Sequence, residues 1–298
     1  MTDGRRRSKA VIGHRGAPAY APEHTLPSYD LALQQRADAV EQDLHVTRDE
    51  VLVCVHDRTL ERTTDVRDVF PKRGREVSED GRVVGRWFVH DFTLDEIKQL
   101  DAGAWFGARF AGARIPTFQE VIDCVAGRGA LCAELKDPEV YDALGVDLLS
   151  LFVTELRKNG LDRPGSSMPA LTMQSFHEPT VRRAAAMFER RVPLVLLIEP
   201  EDAHRWSDRD RFEALAEFAT GIGPGKAIVE ARPEIVLWAH EAGLSVTPWT
   251  FRASAPGRFG NVRAEMAHYL YVLDVDAVIT DNPDQFPREP SGPLGTER

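Results

Sequence analysis

Between residues 10 and 281 the chain alternates short apolar runs with amphipathic stretches, and most of the apolar runs stop on a polar or aromatic residue. The strand candidates are 10–15, 39–43, 130–136, 170–176, 193–199, 227–230, 245–251 and 277–281. Between them lie helix-like stretches such as "TFQEVIDCVAGRG", "DRFEALAEFAT" and "PEIVLWAHEAG", several closing on a glycine as helix C-caps do. About eight β/α units in 298 residues predict an α/β fold of the TIM (β/α)8 barrel type, as one domain over residues 9–287 between a flexible leader (1–8) and a flexible tail (288–298). A doubly wound sheet is the competing architecture, but "GHRGAP" is a poor glycine fingerprint for its first turn. "GIGPG" at 221–225 reads as a loop ahead of the 227–230 strand.

Barrels place chemistry at the C-terminal ends of their strands, and the first strand ends on His14 and Arg15. One segment breaks the alternation. "AVEQDLHVTRDEVLVCVHD" holds two strand-like runs joined by about four residues, too few for a parallel crossover, so the second must return as a hairpin. A turn near Arg48 and Asp49 brings His56 opposite Glu41 or Gln42.

Glu41 and Asp43 are two apart on a strand and project to one face, as do Glu134 and Lys136 in "CAELK". Carboxylates facing one interior repel unless paired or bound to a cation. An all-oxygen set suits a hard divalent ion, Ca²⁺ or Mg²⁺, better than zinc. With Arg15 and Lys136 set against the three acids, one negative charge is left over and an anion is repelled. A single divalent ion reverses that sign, which suits a phosphodiester monoanion and leaves two histidines for proton transfer.

Net charge is -10, so a general nucleic-acid or anionic-membrane binder is not expected. Cys54, Cys124 and Cys132 have no metal spacing and read as free thiols of a reducing compartment. The opening "MTDGRRRSKA" lacks an apolar signal region, and no run is long enough to span a bilayer. A cytoplasmic protein acting on a small molecule, without nucleic acid or stable membrane insertion, is expected, with its oligomeric state open.

Six segments in order, "GHRGAPAYAPEHTLPSYDLAL", "EQDLHVTRDEVLVCVHDRTLERTTD", "RIPTFQEVI", "AELK", "SVTPWTF" and "VITDNPD", resemble the successive motifs of the glycerophosphodiester phosphodiesterase family. The resemblance runs from about Val11 to Phe286. It implies a TIM barrel that hydrolyses glycerophosphodiesters to sn-glycerol 3-phosphate and an alcohol. It further implies His14 and His56 as the acid/base pair, Arg15 as the phosphate grip, Glu41, Asp43 and Glu134 as ligands of one divalent cation, and Lys136 as stabiliser of the charged transition state. Residues 58–114 resemble the family's insertion after the second strand, expected to form a small cap. Trp105, Phe106 and Trp249 are then candidate contacts for the leaving group.

The chain departs from the family pattern at His24 and Arg252, where Asn is usual. Read blandly, the strand-end histidines are structural and the acids form salt bridges with Arg15 and Lys136. His45 shares the acids' face, and His177 and Glu199 have strand-end positions, but none of the three is assigned a role. Two further functional readings accompany the phosphodiesterase: an enzyme of lysophospholipase D type, and a catalytically silent barrel that binds glycerophosphodiesters. The mechanism expected of the enzyme is attack by the substrate's own 2-hydroxyl through a cyclic phosphate.

Overall fold

The computed structural model describes residues 9–162 and 170–288. The expected leader, and all of the expected tail but Arg288, lie outside the described residues. The strands are β1 (Ala10–Gly13), β2 (Ala39–Val46), β3 (Leu52–Cys54), β4 (Arg75–Glu79), β5 (Arg82–Arg86), β6 (Ala130–Leu135), β7 (Leu171–Ser175), β8 (Leu194–Ile198), β9 (Gly221–Pro224), β10 (Ser245–Val246) and β11 (Ala277–Thr280). Eight of them run parallel in the order β10, β9, β8, β7, β6, β2, β1, β11. The chain beyond β10 closes the ring, because the Asp276 amide donates to Val246 O (2.9 Å), Ile279 to Pro248 O (3.1 Å) and Phe251 to Ile279 O (3.0 Å). This is the expected TIM barrel.

Strict alternation explains why the strands are so apolar and yet carry acids. In β2, Val40, Leu44 and Val46 join the main hydrophobic core between sheet and helices, so Glu41, Asp43 and His45 face inward. In β6, Leu131, Ala133 and Leu135 face the helices, which turns Glu134 into the barrel. In β8, Leu194, Leu196 and Ile198 do the same and aim Leu197 inward. Each buried Val, Leu or Ile among them contributes about 1.5–3 kcal/mol, which holds the inward polar residues in place.

The structure corrects the reading of residues 221–231. "GIGP" is the strand β9, and Lys226–Ala231, expected to be a strand from 227 to 230, is a helix. Backbone proximity is the reason. A Cβ at Gly221 would lie 2.3 Å from Ser245 Oγ and 3.0 Å from Ser245 O, and one at Gly223 would lie 2.5 Å from Leu197 Cδ2. Such a strand, with Ile222 alone between glycines and a proline, has little β-branched signature to read.

The hairpin expected after β2 is present, with β3 antiparallel and paired Leu44 to Cys54 and Val46 to Leu52. Residues 58–114 follow it and have a core of their own, in which Leu60, Trp87, Phe92, Ile97 and Leu100 pack with Val53 and Val55 of the hairpin. The three cysteines are unpaired, Cys54 and Cys132 being buried. No helix among the described residues is long and apolar enough to cross a membrane.

The tight approach of β9 to β10 yields a stability test. Gly221→Ala overpacks that contact and should lower unfolding free energy by about 1–3 kcal/mol. Gly107→Ala, where a Cβ meets nothing within 4 Å, should stay within about 0.5 kcal/mol of the parent. Urea denaturation of the two variants checks the difference.

Candidate functional site

The loop after β1 has to reverse direction while presenting two polar side chains, and it does so through residues with positive φ. Arg15 (φ 53°), Gly16 (φ 95°) and His24 (φ 52°) all lie in the left-handed region. Only Gly16 adopts it without cost. The two non-glycine residues are over-determined by hydrogen bonds: the Arg15 amide donates to Glu41 Oε2 (2.8 Å), the His24 amide to Arg15 O (3.1 Å), and Ser28 Oγ–H to Arg15 O (3.2 Å). Ser28 belongs to the helix Leu26–Gln34, capped by Thr25, so the helix start anchors the loop.

At the mouth of the barrel His14, Arg15, Glu41, Asp43, His56, Glu134, Lys136 and Trp249 line one cavity, with Gln174, Phe176, Leu197, Glu199, Thr250 and Ile279 completing its wall. The two strands that carry the acids are adjacent, and their register pairs Asp43 with Glu134. All three carboxylates are buried. Lys136 Nζ lies 2.9 Å from Glu134 Oε1 and 3.7 Å from Asp43 Oδ1, and Arg15 Nε lies 3.3 Å from Asp43 Oδ2.

These neighbours split the three acids electrostatically. Burial, then the charges of Asp43 and Glu134, raises Glu41 well above the usual carboxylate range. Burial also dominates at Glu134, which is pushed up to about 8 against the pull of Lys136. At Asp43 burial is outweighed by Lys136, by the His24 hydrogen bond and by Arg15, so Asp43 is held well below the ordinary value. Glu134 Oε1 has the Lys136 ammonium as its ion-pair partner. An acid cluster that suppresses its own ionisation is chemically suited to a divalent cation.

His24 joins this cluster. His24, Glu41 and Asp43 offer possible ligand atoms all within 4.8 Å of one another. Both His24 nitrogens are already engaged, Nε2 with Asp43 Oδ2 (2.8 Å) and Nδ1 with the Tyr29 hydroxyl (2.7 Å). The imidazole therefore fits as a brace on a ligating carboxylate, the role an outer hydrogen-bond partner takes in metal sites.

The two candidate acid/base histidines come from different elements and share one design. His14 Nδ1–H donates to Asp281 Oδ1 at 2.6 Å, and His56 Nδ1 meets Asp57 Oδ1 at the same distance. Each Nδ1 is thereby occupied, which leaves Nε2 for a substrate proton. Burial and the Arg15 charge lower His14 to about 4, so at neutral pH it is an uncharged acceptor. His56 lies beyond the end of β3, where the hairpin register, carried on two residues, sets it level with Gln42. His45 explains how it stays there: fully buried and fixed by the Tyr141 hydroxyl (2.8 Å), its Nε2 contacts His56 O at 3.2 Å.

Trp105 and Phe106 are not among the cavity's lining residues; Trp105 is 46% exposed and packs edge-on against Phe106, with its indole N–H on Ala102 O. His177 precedes the helix Glu178–Phe188 and contacts Thr180 Oγ1 (2.9 Å), and Glu199 joins the cavity wall. Arg252 holds the other oxygen of Asp281 through Nε at 2.8 Å. Asp57 and Asp281 were not anticipated, although "VHD" and "ITD" place both in motif segments. Nothing local in the sequence says that Asp281 reaches His14, 267 positions away.

A model of the glycerophosphoryl diester phosphodiesterase family matches residues 14–285. The chain is 29% identical to a glycerophosphodiester phosphodiesterase of Bacillus subtilis, covering 95% of this chain and 86% of that protein. It is 30% identical to one of Caldanaerobacter subterraneus, covering 92% and 94%. Among solved structures it resembles an Oleispira antarctica phosphodiesterase in complex with the product sn-glycerol-3-phosphate, with a TM-score of 0.69, 26% identity and coverage of 93% and 94%. The chain belongs to the glycerophosphoryl diester phosphodiesterase family.

Proposed function

We propose that this chain hydrolyses glycerophosphodiesters to sn-glycerol 3-phosphate and an alcohol, with one divalent cation, by acid/base catalysis between His14 and His56. The observation that carries the reading is the pair of histidines, each set by a carboxylate at 2.6 Å, facing one cavity with Arg15 and a buried acid cluster. The Oleispira relative solved with sn-glycerol-3-phosphate supports this choice of substrate.

Glu41, Asp43 and Glu134 would hold the ion, with His24 bracing Asp43. When bound, the ion supplies positive charge for the phosphoryl oxygens and lowers the pKa of a nearby hydroxyl. Arg15 grips the phosphate with its planar fork, and Lys136 adds a point charge beside the same cluster. His14, uncharged at neutral pH, takes the proton of the glycerol 2-hydroxyl through Nε2. That hydroxyl attacks phosphorus, the bond to the alcohol breaks, and His56 gives the departing oxygen its proton. Water then opens the cyclic 1,2-phosphate with the two roles exchanged. The internal nucleophile is favoured because it is already in place. Trp249, whose indole N–H donates to Gly223 O at 2.7 Å, forms a fixed part of the cavity wall on which the substrate rests. We also propose that residues 9–287 act as one catalytic domain in which residues 58–114 form the accessory unit.

The direct test is release of sn-glycerol 3-phosphate from glycerophosphocholine. Release is expected with Mg²⁺ or Ca²⁺ and its loss is expected in EDTA; full activity in EDTA would contradict the metal requirement. Asp43→Asn, which keeps volume but removes charge from the cluster, should weaken metal binding by 10-fold or more, roughly the cost of losing a ligand's electrostatics, as read by calorimetry.

Arg15→Lys keeps the charge and loses the fork, so kcat/KM should fall by about 10–100-fold. Kinetics close to the parent would make Arg15 a structural residue.

A substrate lacking the 2-hydroxyl should barely react. If it turns over normally, water attacks phosphorus directly and the cyclic intermediate is abandoned.

A further inference from the structure

Arg62 stands at the start of the segment that follows the hairpin, and its one guanidinium holds two carboxylates. Nε and Nη2 donate to Asp57 (2.5 and 3.3 Å), while Nη1 and Nη2 donate to Glu23 (3.0 and 2.8 Å). Each of those carboxylates is the direct partner of a candidate site residue. Asp57 Oδ1 meets His56 Nδ1 at 2.6 Å, and Glu23 Oε1 accepts from Arg15 Nη1 at 2.9 Å. The result is a continuous chain His56, Asp57, Arg62, Glu23, Arg15 that joins both sides of the cavity.

We infer that Arg62 is a positioning residue that couples the orientation of His56 to the availability of Arg15 for phosphate. The inference rests on the proposed roles of those two residues.

The geometry requires an arginine. A planar fork serves two carboxylates at once, which an ammonium cannot do with fixed direction. Arg62 is 42% exposed, so as an ion pair it adds little to stability and its removal leaves a folded protein. Glu23 is different, with only 12% of its side chain exposed. Burial opposes its charge, but the Arg62 hydrogen bonds, Arg15 and His24 together lower it to about 2. Without Arg62, Glu23 stays ionised against Arg15, its remaining guanidinium partner, and competes with phosphate for that fork. Asp57 at the same time loses both of its Arg62 bonds and no longer fixes the His56 ring.

Two effects with separate cures follow. In Arg62→Ala, the affinity for inorganic phosphate in the metal-loaded protein, read by calorimetry, should fall about 10-fold, and kcat on glycerophosphocholine should fall up to about 100-fold, the scale of a misplaced catalytic group. Adding Glu23→Gln removes the competing charge, so phosphate affinity should return towards the parent while kcat stays low. Arg62→Lys should lie between parent and Arg62→Ala in both. Melting temperatures of all variants should match the parent closely, since a merely structural arginine would lower them along with both readouts. Phosphate affinity unchanged in Arg62→Ala, or an affinity loss that Glu23→Gln does not repair, overturns the coupling. If the parent binds phosphate but turns over no glycerophosphodiester, the proposed function fails and the phosphate arm still decides the role of Arg62.

Discussion

Three carboxylates buried at one end of a barrel are an unstable arrangement, and the way this chain contains them organises the rest of its site. Asp43 is the fixed charge, held by Lys136, His24 and Arg15, and its presence makes ionisation of Glu41 and Glu134 harder. The two cations that hold Asp43 are also the groups proposed to bind the phosphate. A bound divalent ion would take over the carboxylates and release Arg15 and Lys136 for that anion. Cluster, cations and substrate charge are thus one electrostatic system rather than three features side by side.

Around this centre the fold supplies directions. Strand alternation aims Glu41, Asp43 and Glu134 inward because Val40, Leu44, Leu131, Ala133 and Leu135 must face the helices. The loop after β1 accepts left-handed backbone at Arg15 and His24 because Glu41 and Ser28 hold it there. The histidines reach the same cavity from different origins, one at the end of β1 and one beyond a hairpin; the ring of His14 is turned by Asp281 from the end of β11 and that of His56 by its sequence neighbour Asp57. Outer groups complete the arrangement: Arg252 on Asp281, Arg62 on Asp57, and buried His45 under the His56 carbonyl.

Much of this was legible in the sequence, for identifiable physical reasons. The barrel showed because strands buried on both faces read as short apolar runs, and the hairpin because "TRDE" is too short for a crossover. The i, i+2 spacing placed the acids on one face, and a turn near Asp49 put His56 level with them. The strand β9 was hidden because close packing against β8 and β10 demands glycine where strand signals demand branched side chains. Asp281 and Glu23 are not legible as partners because their roles depend on side-chain reach across loops, which no local pattern encodes, and Asp57, although next to His56, has nothing in its spacing to say that its carboxylate turns back onto the ring. His24 was visible only as a departure from the family pattern, and its bonds to Asp43 and Tyr29 give it a place at the cluster.

The central claim is that the site takes a phosphate tightly only after a divalent ion has taken over the carboxylates and freed Arg15 and Lys136. Calorimetric titration of sn-glycerol 3-phosphate into the protein, first in EDTA and then with saturating Mg²⁺ or Ca²⁺, measures this without any turnover. The account predicts binding at least about 10-fold tighter with the ion, a coupling within the usual range of linked sites. Equal affinity in the two conditions would contradict it.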